Sequence, residues 1–496
     1  MRQSGILMHI TSLPGPYGIG TMGKAAYDFV DFLKKSGQSL WQLLPVTPTG
    51  FGDSPYQSCS AYAGNHYLID LDLLIQDGLL QKQEVISIQW STTADRVDFG
   101  KLYEHRLALL RKAFRRFAGG ADFETFCREN TQWLPDFALF MALKDLHGGK
   151  PWYLWEEGCK FRKTQALSEA RKALREEIRF YCFVQYLFDR QWQALCRYAH
   201  DSGVQIVGDV PIYVPLDSCE VWTEPELFML DENRIPTQVA GCPPDGFNED
   251  GQLWGNPLYR WDVHAKDDYR WWIRRMAAAG KRYDIVRIDH FRGLESYWAV
   301  PFGDQTARNG QWVKGPGLDF VRSLRRQLPQ TQMIAEDLGF MTDEVIALRD
   351  ASGYPGMKVL LFAFDSREPS EYLPYQYPFH CVCYTGTHDN MTSRQWYETA
   401  EPEAASYAAA YINLAPGEAF SWGMIRTAMA SPSDICMIPM QDYLDLDAHG
   451  RMNLPGTCTS QNWTWRAENG FISPDLAGKI LRLTKLYGRD NAKKTG

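Results

Sequence analysis

The stretch YDIVRIDHFRG spans Tyr283 to Gly293. Ile285, Val286 and Ile288 are strand formers in a continuous rather than alternating run, the pattern of a strand covered on both faces. Yet Arg287, Asp289, His290 and Arg292 fall within six positions. Charged groups are costly in a protein interior unless they are paired. A buried strand that finishes this way predicts that its end opens onto a place where charge is used.

Seven similar runs lie on either side: GILMHI (5–10), SLWQLLPV (39–46), VQIVGDV (204–210), QMIAEDL (332–338), GMKVLLFAF (356–364), HCVCYTG (380–386) and CMIPM (436–440). Between the later ones stand stretches of helical period, such as FVRSLRRQL (320–328) and TDEVIALRDA (342–351). Eight strands alternating with helices predict a (β/α)8 TIM barrel, an α/β fold, spanning 1–496 as one catalytic domain without a separate C-terminal β domain. The spacing is uneven. Residues 53–200 read as a mostly helical insertion whose last helix returns to the barrel, with KLYEHRLALLRKAFRRF (101–117) and the 167–199 stretch as its clearest helices. A second insertion, 215–270, is rich in Pro, Gly, Trp and Asn and nearly free of helical pattern, as functional loops on a rigid scaffold often are.

Composition narrows the function classes. The chain has 496 residues with 45% hydrophobic and 23% charged, which is globular. A net charge of −8 argues against nucleic acid and anionic membranes, which call for a basic footprint. The 11 cysteines show no CxxC or zinc spacing and read as reduced thiols. The N-terminus lacks the apolar core of a signal peptide, and no segment reaches the length of a membrane span. A cytoplasmic protein is the expectation.

In such barrels chemistry sits at the carboxyl ends of the strands. The third run ends in Asp209, the fourth in Arg287, Asp289 and His290, the fifth in Glu336 and Asp337. The sixth is free of acids until Asp365, the seventh ends in Thr387, His388, Asp389 and Asn390, and the eighth leads to Asp442. Any one acid there could cap a helix or turn the chain, the simpler reading for Asp209 and Asp442 taken singly. Their repetition favours a catalytic rim. Arg287 and Asp289 project to the same side of a strand, so the guanidinium should hold Asp289 ionised with a depressed pKa, as a nucleophile requires. Glu336 suits a proton donor, and Asp389 would bind hydroxyls and oppose positive charge in an oxocarbenium-like transition state. That is retaining glycoside chemistry, with the Asp289 and Glu336 carboxyls about 5–5.5 Å apart. HxH and HExxH spacings are absent; no metal and no cofactor are expected.

RIDHFRG, AEDLG (335–339) and THDN (387–390), in that order, resemble the α-amylase clan. HITSLPGPYGIG (9–20), LWQLLPVTPTGFGDSPYQ (40–57), GDVPIYV (208–214), PPDGFNEDGQLWGNPLY (243–259) and RMNLPGT with NWTWR (451–466) are similar to one branch of it, the amylomaltases or 4-α-glucanotransferases of glycoside hydrolase family 77. The resemblance covers nearly the whole chain. It implies the same three catalytic residues, Asp289, Glu336 and Asp389, and adds others by motif. Tyr56 would stack under the sugar at the cleavage point. Asp209, Arg287, His290 and His388 would bind its hydroxyls or orient the carboxylates, Trp254 would sit on a mobile loop over the donor and acceptor sites, and Asn453 is a further substrate-binding candidate. Simpler readings stand beside these: a loop anchor for Trp254, loop packing for Tyr56 and a helix cap for His388. The partners implied are α-1,4-glucans and glucose. The rivals are a hydrolase of the same clan, a metal-dependent barrel enzyme, and a glucan-binding protein without turnover.

Overall fold

The computed structural model describes residues 2–244, 249–339, 341–364 and 370–490. Each apolar run overlaps a strand: β1 (Gln3–Leu7), β2 (Leu40–Gln42), β3 (Gln205–Val210), β4 (Ile285–Ile288), β5 (Gln332–Ala335), β6 (Gly356–Val359), β7 (Cys381–Tyr384) and β8 (Ile435–Pro439). They form one sheet in the order β6-β7-β8-β1-β2-β3-β4-β5, every pair parallel. That is chain order wrapped round a circle. β5 and β6 meet through the Ala335 N–H, which donates to the Pro355 carbonyl at 2.9 Å. Asp337 adds a second tie, its Oδ1 accepting the Met357 N–H at 2.6 Å. The fold is a (β/α)8 TIM barrel.

The helices bury one apolar stripe each, as the 3.6-residue period demands. Lys24–Lys35 turns Phe29, Val30 and Leu33 onto the sheet, and Gly317–Gln327 does the same with Phe320, Val321 and Leu324. Asp343–Ser352 starts where the Thr342 side chain accepts the Val345 N–H and stops at Gly353, whose φ of 68° is left-handed.

The interval after β2 holds Phe99–Arg116, Ala121–Glu129, Leu134–Leu146 and the 27-residue helix Arg175–Asp201. That last helix lies between barrel helices. Tyr198 Oη donates to Asp31 Oδ1 at 2.7 Å, and Trp192 Nε1 donates to the Arg282 carbonyl at 3.2 Å. The 215–270 stretch differs from its reading as loop. It contributes two strands, Gln238–Cys242 and Gln252–Pro257, to an antiparallel sheet completed by Ser296–Pro301 and Gln311–Lys314 from the segment after β4. Residues 245–248 of the 243–259 segment, and Asp365, lie outside the described residues. Among the described residues, no helix is long and apolar enough to cross a membrane.

Candidate active site

The site is built outward from Arg287. β3 and β4 run in register with Asp209 beside Arg287. Because strand residues alternate, Val286 and Ile288 pack behind the sheet while Arg287 and Asp289 face the other way. Arg287 Nη1 donates to both oxygens of Asp209, at 2.8 and 2.7 Å, and to Asp289 Oδ1 at 2.9 Å. The guanidinium side chain is 5% exposed, Asp209's is 0% and Asp289's 29%, so the arginine ties a fully buried carboxylate to one at the surface of the site. Asp209 therefore caps nothing; it is the anchor of Arg287.

Glu336 follows β5 and is held by backbone. His290 stands just past β4 in a left-handed conformation, φ 53° and ψ 47°. That bend aims its N–H at Glu336 Oε2, 2.6 Å away, while the Leu338 N–H donates to Oε1 at 2.9 Å. Two amide donors fix the carboxyl without constraining its neighbours. Asp389 sits on the turn after β7, where Asn390 Oδ1 accepts both the N–H and the hydroxyl of Thr387. Asn453 Nδ2 donates to Asp389 Oδ1 at 2.7 Å, and His388 Nε2 lies 3.4 Å from Oδ2.

Aromatic residues bind these pieces together. Tyr56 Oη donates to Asp209 Oδ2 at 2.8 Å, and its ring lies parallel to His388, centroids 5.2 Å apart. The Trp254 ring meets His290 edge-on at 4.8 Å. Contacts or adjacent peptide bonds thus connect all ten candidate residues. Asp442 does not join them. It is buried, accepts from Thr385 Oγ1 and from the N–H and Oγ of Ser393, and so fastens the chain after β7. Two residues outside the ten join the site: Trp463 of NWTWR packs on both Tyr56 and His388, and Arg451 of RMNLPGT donates to the Asp389 carbonyl at 3.0 Å. His9 lies buried beside His388, with no local pattern that marks it as part of the site. Tyr56→Phe should lower stability by about 1.5 kcal/mol in urea unfolding, since a bond to a buried carboxylate is lost while Arg287 still pairs it.

The electrostatics correct one expectation. Asp289 is not depressed by Arg287: its carboxyl stands well above the usual range, because burial outweighs the guanidinium and Asp209, Glu336 and Asp389 push the same way. Glu336 is also raised, by burial first, against the pull of Arg287 and its two amide donors. Asp209, Asp289 and Glu336 share one guanidinium, so Asp289 and Glu336 titrate as a coupled pair that retains a proton above the ordinary carboxylate range. Burial, then Arg292, pushes His290 down to about 3, leaving it a neutral ring. Among the described residues no group of three or more His, Cys, Asp and Glu is arranged to hold a metal ion.

A family model described as 4-alpha-glucanotransferase, glycoside hydrolase family 77, matches residues 8–472. The chain belongs to this family. The 4-alpha-glucanotransferase of Clostridium butyricum is 43% identical over 97% of this chain and 100% of its own. That of Streptococcus pneumoniae strain TIGR4 is 47% identical over 99% and 98%. The amylomaltase of Streptococcus agalactiae, solved in complex with acarbose, superposes with a TM-score of 0.96 at 42% identity, covering 99% of this chain and 100% of that one. Family 77 membership accounts for the barrel and for the motifs on its strand ends, and it makes the chain a glucanotransferase rather than a metal-dependent barrel enzyme of another family.

Proposed function

We propose that this chain moves a segment of an α-1,4-glucan onto the 4-hydroxyl of glucose or of another α-1,4-glucan, by double displacement with retention. The observation that carries the reading is the pairing of Asp289 on Arg287 with Glu336 on two backbone amides, at adjacent strand ends. With the pair's retained proton on Glu336, that proton passes to the leaving glucan oxygen as the ionised Asp289 attacks the anomeric carbon. The bond to the leaving oxygen breaks and a glycosyl–Asp289 ester forms. An incoming 4-hydroxyl then displaces Asp289 while Glu336 takes its proton, acid and base being one group in opposite directions. Asp389, oriented by Asn453, faces the charge that develops on the ring. The acarbose complex of the S. agalactiae relative agrees with a glucan-binding cleft.

Incubation with maltotriose tests this. A ladder of longer maltooligosaccharides with glucose, all α-linked by NMR, is the expected product. Glucose and maltose alone would mean water is the acceptor, and an unchanged substrate would sink the enzyme reading.

Transfer needs water to be held off the ester. Trp254, edge-on to His290 and inside the strand Gln252–Pro257 rather than on a free loop, supplies an apolar wall there. In the Trp254→Ala variant the ratio of transfer to hydrolysis should fall roughly tenfold, equal to about 1.4 kcal/mol between the two acceptor barriers. An unchanged ratio would assign Trp254 to packing alone.

A further inference from the structure

Arg287 makes one further hydrogen bond, to a residue that carries no charge. Its Nε donates to the thioether sulfur of Met357 at 3.4 Å. Met357 belongs to β6 and is 1% exposed. β5 stands between β4 and β6, yet in an eight-stranded barrel the inward side chains of alternate strands share one layer. That layering brings the sulfur to the guanidinium. The backbone carrying the sulfur is itself held, since the Met357 N–H donates to Asp337 Oδ1 at 2.6 Å.

This hydrogen bond matters because of how the carboxylates grip the cation. Both oxygens of Asp209 and Oδ1 of Asp289 take the same nitrogen, Nη1. A planar group pinned at one nitrogen can swing about that point, whereas a second pin fixes its plane. Nε on Met357 is the second pin. The kind of acceptor suits the place. Another carboxylate there would compete with Asp289 for the cation, and a hydrocarbon would leave a buried N–H bare. A thioether accepts weakly and adds no charge.

We propose that Met357 is a positioning residue for the transfer reaction. It fixes the plane of the Arg287 guanidinium, so that Nη1 stays at Asp289 while that group passes from carboxylate to ester and back. The passage through an ester rests on the proposed function; the hold on Arg287 does not. Ester formation takes the negative charge off Asp289 and leaves it on Asp209. A guanidinium pinned only at Nη1 would then be drawn towards Asp209. It would be out of place when the incoming hydroxyl displaces Asp289 as a carboxylate.

The test compares full-length Met357→Leu, which keeps the volume and removes the acceptor, with Met357→Gln, which supplies a neutral amide oxygen in its place. Met333→Leu is the packing control, the same exchange on the outer side of β5 that Met333 shares with Val286. In maltotriose transfer Met357→Leu should lower kcat about tenfold and leave KM within about twofold. The acid limb of kcat/KM should move up by about half a pH unit, because Asp289 loses part of its cationic support. That limb belongs to a coupled set, since Asp209, Asp289, Glu336, Tyr56, Tyr384 and His388 all lie within the field of Arg287. Met357→Gln should recover most of the loss, and Met333→Leu should match the parent in rate and limb. An unmoved limb in Met357→Leu, or equal losses in the Leu and Gln variants, overturns the proposal. A second measurement needs no turnover. With isotope-labelled arginine, the Arg287 Nε–H resonance is assigned by its absence from Arg287→Lys. Its exchange with water should be at least about tenfold faster in Met357→Leu than in the parent. Equal exchange overturns the proposal. A parent that makes no product ladder sinks the proposed function, and the exchange rates then decide this inference by themselves.

Discussion

Asp289→Asn should remove turnover, by at least about 10⁴-fold in kcat, because the amide cannot form the glycosyl ester and no neighbour replaces it. The fold should survive. Arg287 Nη1 keeps both contacts to Asp209, so the buried ion pair stays closed. Stability at pH 7 should be equal or higher. Asp289 has a folded pKa raised above its unfolded value. The folded state therefore binds the extra proton, and the native protein loses stability as pH rises from the ordinary carboxylate value, about 3.9, through the raised folded one. The asparagine variant lacks that loss, so the gap between the two unfolding curves should widen in its favour between acid and neutral pH. Denaturant titrations at several pH values, beside a maltotriose assay, check both halves. Retention of a tenth of the activity would place the nucleophile elsewhere.

Arg287→Met should be the most destabilising substitution at the site. The side chain matches the space, but Asp209 would remain fully buried with only the Tyr56 hydroxyl as donor. Breaking a buried pair by removing one partner costs about 3–5 kcal/mol. Activity should also vanish, since Asp289 would lose the cation beside it while its carboxylate neighbours remain. Adding Asp209→Asn should recover much of the stability and none of the turnover, because the penalty belongs to the stranded charge rather than to the missing contact. A loss below about 1 kcal/mol in Arg287→Met would show that the buried pair with Asp209 contributes little to the native fold.

The barrel was legible because its signal is coarse. Continuous apolar runs bounded by Gly, Pro or polar clusters need no exact boundary to be counted, and each overlaps its strand. Their ends shifted where chemistry begins: SLWQLLPV yields only Leu40–Gln42, the chain leaving the sheet before Pro45. The antiparallel sheet of 238–314 was not legible. SYWAVP and QWVK are short and carry a proline or an exposed tryptophan, and SYWAVP takes its second partner from another loop. The pairing of Arg287 with Asp289 could be read from two-residue spacing, but not the sign of the carboxyl's shift. That sign depends on Asp209, Glu336 and Asp389 arriving from three other strands, and no local pattern reports burial. Trp463 and His9 lie far along the chain from Tyr56 and His388; only the folded ring makes them neighbours.

The closure of that ring has a consequence of its own. β5 and β6 are not laced like the other pairs. Asp337 holds them, one oxygen on the Met357 N–H and the other on Arg349 Nη1 at 2.7 Å. A side chain at Gly356 would place its Cβ 2.4 Å from Asp337 Oδ2, so the stitch requires glycine opposite it. Glu336 is the very next residue. Any thermal opening of this seam should therefore unlatch Glu336, the proposed proton donor, before it disturbs the remaining strands. Heat should silence the enzyme ahead of its helical circular-dichroism signal, and a brief return to low temperature should restore it.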